Sequence, residues 1–86
     1  MEKFTIYSKD NCTYCNQAKN LLRQHGLEFE EYVLPLQATK EEIQERVYNS
    51  GSRNEVRSVP QIFHGDMYVG GAVQLSDYME KLRRMY

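Results

Sequence analysis

The sequence predicts a single α/β domain: a small four-stranded mixed sheet flanked by helices on both faces, in the order βαβαββα. Three observations predict this class. A strand-like run at the start leads into a helical run, two apolar runs near the end flank a Gly-Asp turn, and an amphipathic run follows them. Strands joined through a helix run parallel and a hairpin pairs antiparallel, so the sheet should be mixed.

The first strand and the first helix are predicted from the opening of the chain. Phe4–Tyr7 alternates and is rich in strand-forming residues. Asp10 and Asn11 are residue types that favour helix N-caps. Apolar or small residues then recur at helical spacing as far as Gln24, and Gly26 is suited to the left-handed position that ends a helix.

The middle of the chain predicts a second strand and a second helix. Phe29–Leu34 supplies the strand, and Pro35 ends it. Thr39-Lys40-Glu41-Glu42 matches a capping box, so a helix should begin there and run to about Asn49 before Gly51 stops it.

A hairpin and a third helix complete the predicted fold. The runs Gln61–His64 and Met67–Gly70 flank the turn residues Gly65-Asp66. Beyond them, four apolar residues share one helical face: Leu75, Tyr78, Met79 and Leu82.

Composition excludes several classes of function. A formal net charge of −1 gives no electrostatic footprint for nucleic acid. No apolar segment approaches the ~20 residues that cross a bilayer, and the N-terminus lacks the apolar region of a secretory signal. Two closely spaced cysteines without another pair are typical of a reducing compartment, so we expect a cytoplasmic protein.

The segment Cys12-Thr13-Tyr14-Cys15 holds both cysteines of the chain and lies between the first strand and the first helix. That position places Cys12 at a helix N-terminus, where unpaired N–H groups and the helix dipole favour a thiolate. A thiolate attacks disulfides, and Cys15, one turn later, can displace what Cys12 has captured. The motif predicts a redox site.

A structural disulfide and a zinc site are both less favoured by the spacing of the cysteines. A structural disulfide stabilises by closing a loop, and a two-residue gap closes almost nothing. A zinc site needs further ligands, but His25 and His64 lie far apart, unlike the close histidine pair of a zinc finger.

The βαβ unit that opens with Cys-x-x-Cys resembles the thioredoxin fold, and four features together resemble the glutaredoxin family. These features are Tyr7-Ser8-Lys9, Tyr14 within the motif, Ser58-Val59-Pro60-Gln61-Ile62-Phe63, and Gly70-Gly71 before the last helix. The resemblance implies a monomeric glutathione-dependent thiol–disulfide oxidoreductase. Its partners would be glutathione, as reductant and co-substrate, and disulfide-containing or glutathionylated proteins, with no resident metal.

The same resemblance implies roles for individual residues. Cys12 would be the nucleophile, exposed at the helix end with a lowered pKa, and Cys15 would resolve the mixed disulfide. Pro60 would follow a cis peptide bond, and the backbone of Val59 would then pair with glutathione as an added strand.

Further contacts with glutathione are expected from side chains and from a helix start. Lys9 would lower the pKa of Cys12 and bind a carboxylate, while Tyr14 would form a wall of the groove. Three weaker candidates for the glycine carboxylate are Arg57, Arg53 and Gln37.

The glycine pair allows close approach of a ligand backbone. Gly71 and the N–H groups of Ala72, Val73 and Gln74 would bind the γ-glutamyl carboxylate. The family usually has acidic or hydroxyl residues just after the glycines, and neither Val73 nor Gln74 supplies one. We therefore expect weaker glutathione binding than in relatives that have them. His25 and His64 are expected to have no catalytic role.

Two other functions remain open from the sequence. Thr13 stands where dithiol members usually have proline, and some relatives with a small residue there bind a [2Fe–2S] cluster between two subunits. The second alternative is a redoxin that donates electrons to ribonucleotide reductase and is recharged by a thioredoxin-type reductase.

Overall fold

The computed structural model describes residues 2–85 and has the predicted element order. The elements are β1 (Phe4–Ser8), α1 (Thr13–Gln24), β2 (Phe29–Val33), α2 (Lys40–Asn49), β3 (Gln61–His64), β4 (Met67–Gly70) and α3 (Ala72–Met85). Within this described range, none of the helices combines the length and apolar character that crossing a bilayer requires.

The four strands form one mixed sheet in the order β2-β1-β3-β4. β1 pairs with β2 in parallel, whereas the pairs β1–β3 and β3–β4 are antiparallel, which confirms the predicted pairing. β2 ends at Val33, one residue earlier than expected, and the Leu34–Pro35 peptide that follows is cis. A short turn joins the carboxyl end of β1 to the start of α1, and the cysteines lie at this helix start.

The sheet separates two apolar clusters. α1 and α3 cover one face of the sheet, and Ile62 packs in the cluster beneath them. α2 covers the other face, and Phe63 packs in the cluster beneath it. Neighbouring strand residues point to opposite faces, so β3 serves both clusters. The buried residues of the first cluster are Phe4, Ile6, Ala18, Leu22, Ile62, Leu75 and Met79. Those of the second are Ile43, Val47, Val56 and Phe63.

The caps of α1 and α2 differ in how well the sequence predicted them. Thr39 Oγ1 accepts the Glu42 N–H at 3.2 Å, which confirms the cap of α2. Asp10 and Asn11 are cap-type residues, but the N-cap of α1 is Cys12. Asn11 has a φ of 57°, so the chain turns there, and the next residue is the one that enters the helix.

Candidate active site

The two cysteines form a disulfide at the first turn of α1, with their Cα atoms 5.2 Å apart. Cys12 is extended, and its Sγ accepts the Cys15 N–H at 3.2 Å. An unpaired N–H of the first turn therefore points at the sulfur that becomes a thiolate on reduction. This arrangement confirms the predicted position of Cys12 at the helix N-terminus.

The two sulfurs differ in accessibility, although less than expected. Cys15 is 1% exposed and Cys12 is 7% exposed. The expectation of an exposed Cys12 is wrong for this disulfide form, because its sulfur is bonded to Cys15 and lies 3.9 Å from the Val59 carbonyl oxygen. Cys12 is still the more accessible of the pair, as its proposed role requires.

The loop before β3 places the backbone of Val59 beside the cysteines. The Val59–Pro60 peptide is cis, as the resemblance implied, and Pro60 is buried. The carbonyl oxygen of Val59 is the atom that lies 3.9 Å from Cys12 Sγ. An extended ligand pairing with Val59 would thus carry its own sulfur close to Cys12.

An open groove of about 440 Å³ begins at Tyr14 and Val59. Tyr14 is 62% exposed and forms its wall on the α1 side. The start of α3 also lines the groove. The groove brings together most of the residues predicted to contact a ligand: Tyr14, Arg57, Val59, Pro60, Gly71, Ala72, Val73 and Gln74.

Three predicted side chains lie elsewhere. Lys9 is exposed and is not among the residues that line the groove, so its contact with glutathione stays a prediction. The weaker candidate Gln37 accepts the Val33 N–H at 2.8 Å, and Arg53 lines a separate depression beside Tyr48. Gln37 follows β2 and Arg53 follows α2, and neither residue lines the groove.

Sequence reasoning assigned no role to several residues that line the groove, among them Asn54, Glu55 and Tyr68. Glu55 is the notable one, because neither residue 73 nor residue 74 supplies an acidic partner for an ammonium group. Its carboxylate accepts a hydrogen bond from Arg57 Nη2 at 3.0 Å, and both side chains are exposed. No motif marks these positions. The pairing of β3 with β4 and the path of the loop before β3 bring them together.

A chain of hydrogen bonds runs beneath this side of the groove. Tyr68 donates its hydroxyl to Gln61 Oε1 at 2.5 Å and accepts from Asn54 Nδ2 at 2.9 Å. Gln61 is buried, and its Nε2 donates to the Ser58 carbonyl at 2.8 Å. Burial raises the pKa of Tyr68, and the hydrogen bond from Asn54 opposes that rise. The hydroxyl therefore stays protonated at neutral pH.

The start of α3 is already partly capped. Gly71 donates its N–H to Gln74 Oε1 at 3.0 Å. Gly70 has a φ of 119°, and a Cβ there would lie 2.9 Å from Gln74 Cβ. The Gln74 amide is thus folded back over the glycine pair, and a carboxylate that binds the Gly71 N–H would take the place of this amide.

The described residues contain no group of three or more His, Cys, Asp or Glu side chains arranged to hold a metal ion. A cluster held by one cysteine and glutathione in each of two subunits would need no such group, so that alternative stays a prediction. His25 and His64 do not line the groove.

A cysteine pair at the N-terminus of the first helix of this sheet, beside a cis-proline loop, defines a thiol–disulfide oxidoreductase of the thioredoxin fold. The glutaredoxin family profile matches residues 4–69, which is most of the chain. The chain therefore belongs to the glutaredoxin family.

Two relatives illustrate the similarity in sequence. Glutaredoxin 3 of Escherichia coli K12 is 36% identical over 75 residues, which cover 87% of this chain and 83% of that protein. The hybrid peroxiredoxin hyPrx5 of Haemophilus influenzae is 36% identical over 77 residues. The match covers 90% of this chain but only 29% of that longer relative.

Two solved structures illustrate the similarity in fold. Glutaredoxin 1 from Francisella tularensis, crystallised with cacodylate, superposes with a TM-score of 0.79 at 27% identity, covering 98% of this chain and 99% of that one. The buckwheat glutaredoxin–glutathione complex gives a TM-score of 0.69 at 25% identity, covering 93% of this chain and 70% of that one.

Proposed function

We propose that the protein is a glutathione-dependent oxidoreductase that reduces protein disulfides and glutathione mixed disulfides. The observation that carries this proposal is the groove lined by Val59, whose carbonyl oxygen lies 3.9 Å from Cys12 Sγ, and by the helix start at Gly71. These are the partners that an extended peptide with a terminal carboxylate requires. A related protein, buckwheat glutaredoxin, has been solved in complex with glutathione, which supports the proposal.

The one-cysteine route uses Cys12 alone. Its thiolate attacks the glutathione sulfur of a glutathionylated protein, the old S–S bond breaks, and the protein thiolate leaves. Cys12 is then joined to glutathione by a disulfide. A second glutathione thiolate attacks the bound glutathione sulfur, which releases glutathione disulfide and restores the Cys12 thiolate. The Cys15 N–H at 3.2 Å from Cys12 Sγ favours the thiolate in both its attacking and its leaving role.

The two-cysteine route ends in the form that the structure describes. Cys12 attacks a protein disulfide and forms a mixed disulfide with one of its sulfurs. The Cys15 thiolate then attacks Cys12 Sγ, which releases the reduced protein and leaves the Cys12–Cys15 disulfide. Two glutathione molecules return the pair to thiols and become glutathione disulfide.

Charged groups at the groove fit the two ends of glutathione. Arg57 supplies a guanidinium and Glu55 a carboxylate, but each already engages the other at 3.0 Å. Both are exposed, so water screens whatever they contribute. We therefore also propose that glutathione binds more weakly than in relatives that have an acidic or hydroxyl residue after the glycines. A cytoplasmic location, where glutathione keeps thiols reduced, is a further part of the proposal.

The test is turnover of a small glutathione mixed disulfide, coupled through glutathione reductase to NADPH oxidation. Wild type should show activity that depends on glutathione, Cys15→Ser should retain it, and Cys12→Ser should lose it. Cys15→Ser should be strongly impaired in the reduction of a protein disulfide, because Cys15 no longer attacks Cys12 Sγ to release the reduced protein. Wild type without glutathione-dependent turnover, but reduced by a flavin-containing thioredoxin-type reductase, would overturn the proposal and favour a donor to ribonucleotide reductase.

A further inference from the structure

Residues 54–58 form one side of the groove, and we call this segment the groove loop. It joins α2 to the cis Val59–Pro60 peptide and belongs to no helix or strand. Glu55 and Arg57 line the groove, whereas Val56, between them, is 2% exposed and packs in the cluster beneath α2. The loop thus alternates between the groove and the core, and its position decides where Glu55 and Arg57 stand.

The side chain of Gln44 holds this loop from α2. Its Nε2 donates to the Asn54 carbonyl at 2.8 Å, and its Oε1 accepts the Val56 N–H at 2.7 Å. One amide thereby satisfies two backbone groups of the loop, as a neighbouring strand would. Gln44 is half-buried and is not among the residues that line the groove.

The loop is also held from the sheet side. Asn54 donates to the Tyr68 hydroxyl, and the Ser58 carbonyl accepts from Gln61. Residues 54, 56 and 58 are therefore fixed by side chains of α2, β3 and β4, and Gln44 provides the two bonds that come from α2. Without Gln44, the Val56 N–H and the Asn54 carbonyl lose their partners, and the loop loses its connection to that helix.

We propose that Gln44 is a positioning residue for substrate binding: it holds the groove loop where Glu55 and Arg57 meet the ligand. This inference rests on the proposed function. The cysteines lie on a different element, at the start of α1, so loosening the loop should weaken binding and leave the thiol chemistry unchanged.

The test is Gln44→Met, which keeps the length of the side chain and removes both hydrogen bonds. The KM for a glutathione mixed disulfide should rise about fivefold or more, while kcat stays within about twofold. The pH profile of Cys12 alkylation should match wild type. Amide hydrogen exchange of Val56, followed by NMR, should become faster while the exchange of core amides in β1 stays the same.

Two variants of the same helix serve as controls. Arg46→Met removes polar contacts that the same helix makes to Tyr7 and Gly65 but none of the loop's hydrogen bonds, so it should lower stability without raising KM. Gln44→Glu keeps an acceptor for the Val56 N–H and loses the donor to Asn54, so its KM should lie between those of wild type and Gln44→Met.

Several results would overturn the inference. They are a wild-type KM in Gln44→Met, an equal rise in KM in Arg46→Met, or unchanged exchange of the Val56 amide. Should Gln44→Met not fold, the KM of Gln44→Glu decides, and a value equal to wild type contradicts the inference. A wild type without glutathione-dependent turnover would instead refute the proposed function, and with it the role of Gln44 in binding.

Discussion

At the scale of the residue, the chemistry depends on the difference between two cysteines in one turn of helix. The sulfur of Cys12 accepts a hydrogen bond from the Cys15 N–H and lies at the positive end of α1. The side chain of Cys15 is only 1% exposed. We therefore predict that, in the reduced protein, the pKa of Cys12 lies below the ~8.5 of a free cysteine. Iodoacetamide alkylation measured against pH, with the site identified by mass spectrometry, should show Cys12 reacting first.

The Cys15→Ser variant is the control for this prediction, because it leaves a single thiol to titrate and keeps the backbone N–H at residue 15. A Cys12 pKa near ~8.5 in that variant, or equal alkylation of both thiols in wild type, would contradict the assigned roles.

Gln74 offers a second prediction at this scale. Its amide accepts the Gly71 N–H and carries no charge, so it gives an ammonium group little to bind. Gln74→Asp should lower the KM for glutathione relative to Gln74→Asn, which has the same size without the charge. The side chain is exposed, so we expect a gain of several-fold rather than the ~1.5–3 kcal/mol of a buried charge-assisted bond.

That comparison is made by glutathione titration in the coupled assay, at low and at high salt. A charge effect should shrink as salt is added. Equal KM values for the Asp and Asn variants would mean that the ammonium group does not come near residue 74.

The residues whose positions in the fold the sequence predicted are those whose neighbours in the chain define their environment. Cys12 lies between a strand and a helix, and Val59 precedes the proline of a family motif. Glu55 and Tyr68 were missed because only tertiary structure places them at the groove. The accessibility of Cys12 was overestimated because the facing Val59 carbonyl belongs to a distant part of the chain.

At the scale of the element, an ion pair connects β1, β2 and α1. Lys19 Nζ lies 2.8 Å from Glu31 Oε2, and the buried hydroxyl of Ser8 donates to the same oxygen at 2.6 Å. Burial raises the pKa of Glu31, but the bonds from Lys19 and Ser8 and the charge of Lys19 outweigh it and hold the pKa below the usual 4.5.

This lowered pKa predicts part of the acid sensitivity of the fold. Folded Glu31 binds a proton less tightly than Glu31 of the unfolded chain, so its contribution to stability is present above about pH 4.5. The contribution is lost as the pH falls through the lower, folded pKa. Glu31→Gln should therefore reduce the free energy of unfolding at neutral pH and make its decline in acid shallower.

Urea unfolding at a series of pH values measures both effects. Glu28→Gln is the matched control, because Glu28 is exposed and the structure shows no ion pair for it with any residue in 2–85. An acid decline as steep in Glu31→Gln as in Glu28→Gln would contradict the prediction.

Element boundaries were predicted to within a few residues, since caps and turn residues define them locally. The hairpin strands and the cap at Thr39 fall where the sequence put them. The groove loop was not predicted as a structure. Its hydrogen bonds come from side chains such as Gln44 and Gln61, which no periodic pattern reveals.

At the scale of the whole molecule, the two faces of the sheet are stabilised differently. α1 and α3 bury a large apolar cluster, whereas α2 contributes only Ile43 and Val47 as fully buried residues. Arg46 adds to this second interface. Its guanidinium lies 4.3 Å from the centre of the Phe63 ring, donates to the Tyr7 hydroxyl at 2.9 Å and donates to the Gly65 carbonyl at 3.1 Å.

We predict that Arg46→Met, which keeps the apolar stem and removes these polar contacts, lowers the free energy of unfolding by about 1–3 kcal/mol. Arg53→Met is the control, because Arg53 is exposed and should change stability by less than about 0.5 kcal/mol. Urea unfolding of both variants makes the comparison.

The hydrogen bonds of Arg46 go to Tyr7 and Gly65 and not to the groove loop, so the KM of Arg46→Met should stay at the wild-type value. Equal unfolding midpoints for the two variants would show that α2 is held by its apolar residues alone. A raised KM in Arg46→Met would show that the position of the whole helix, rather than the Gln44 amide, sets the groove.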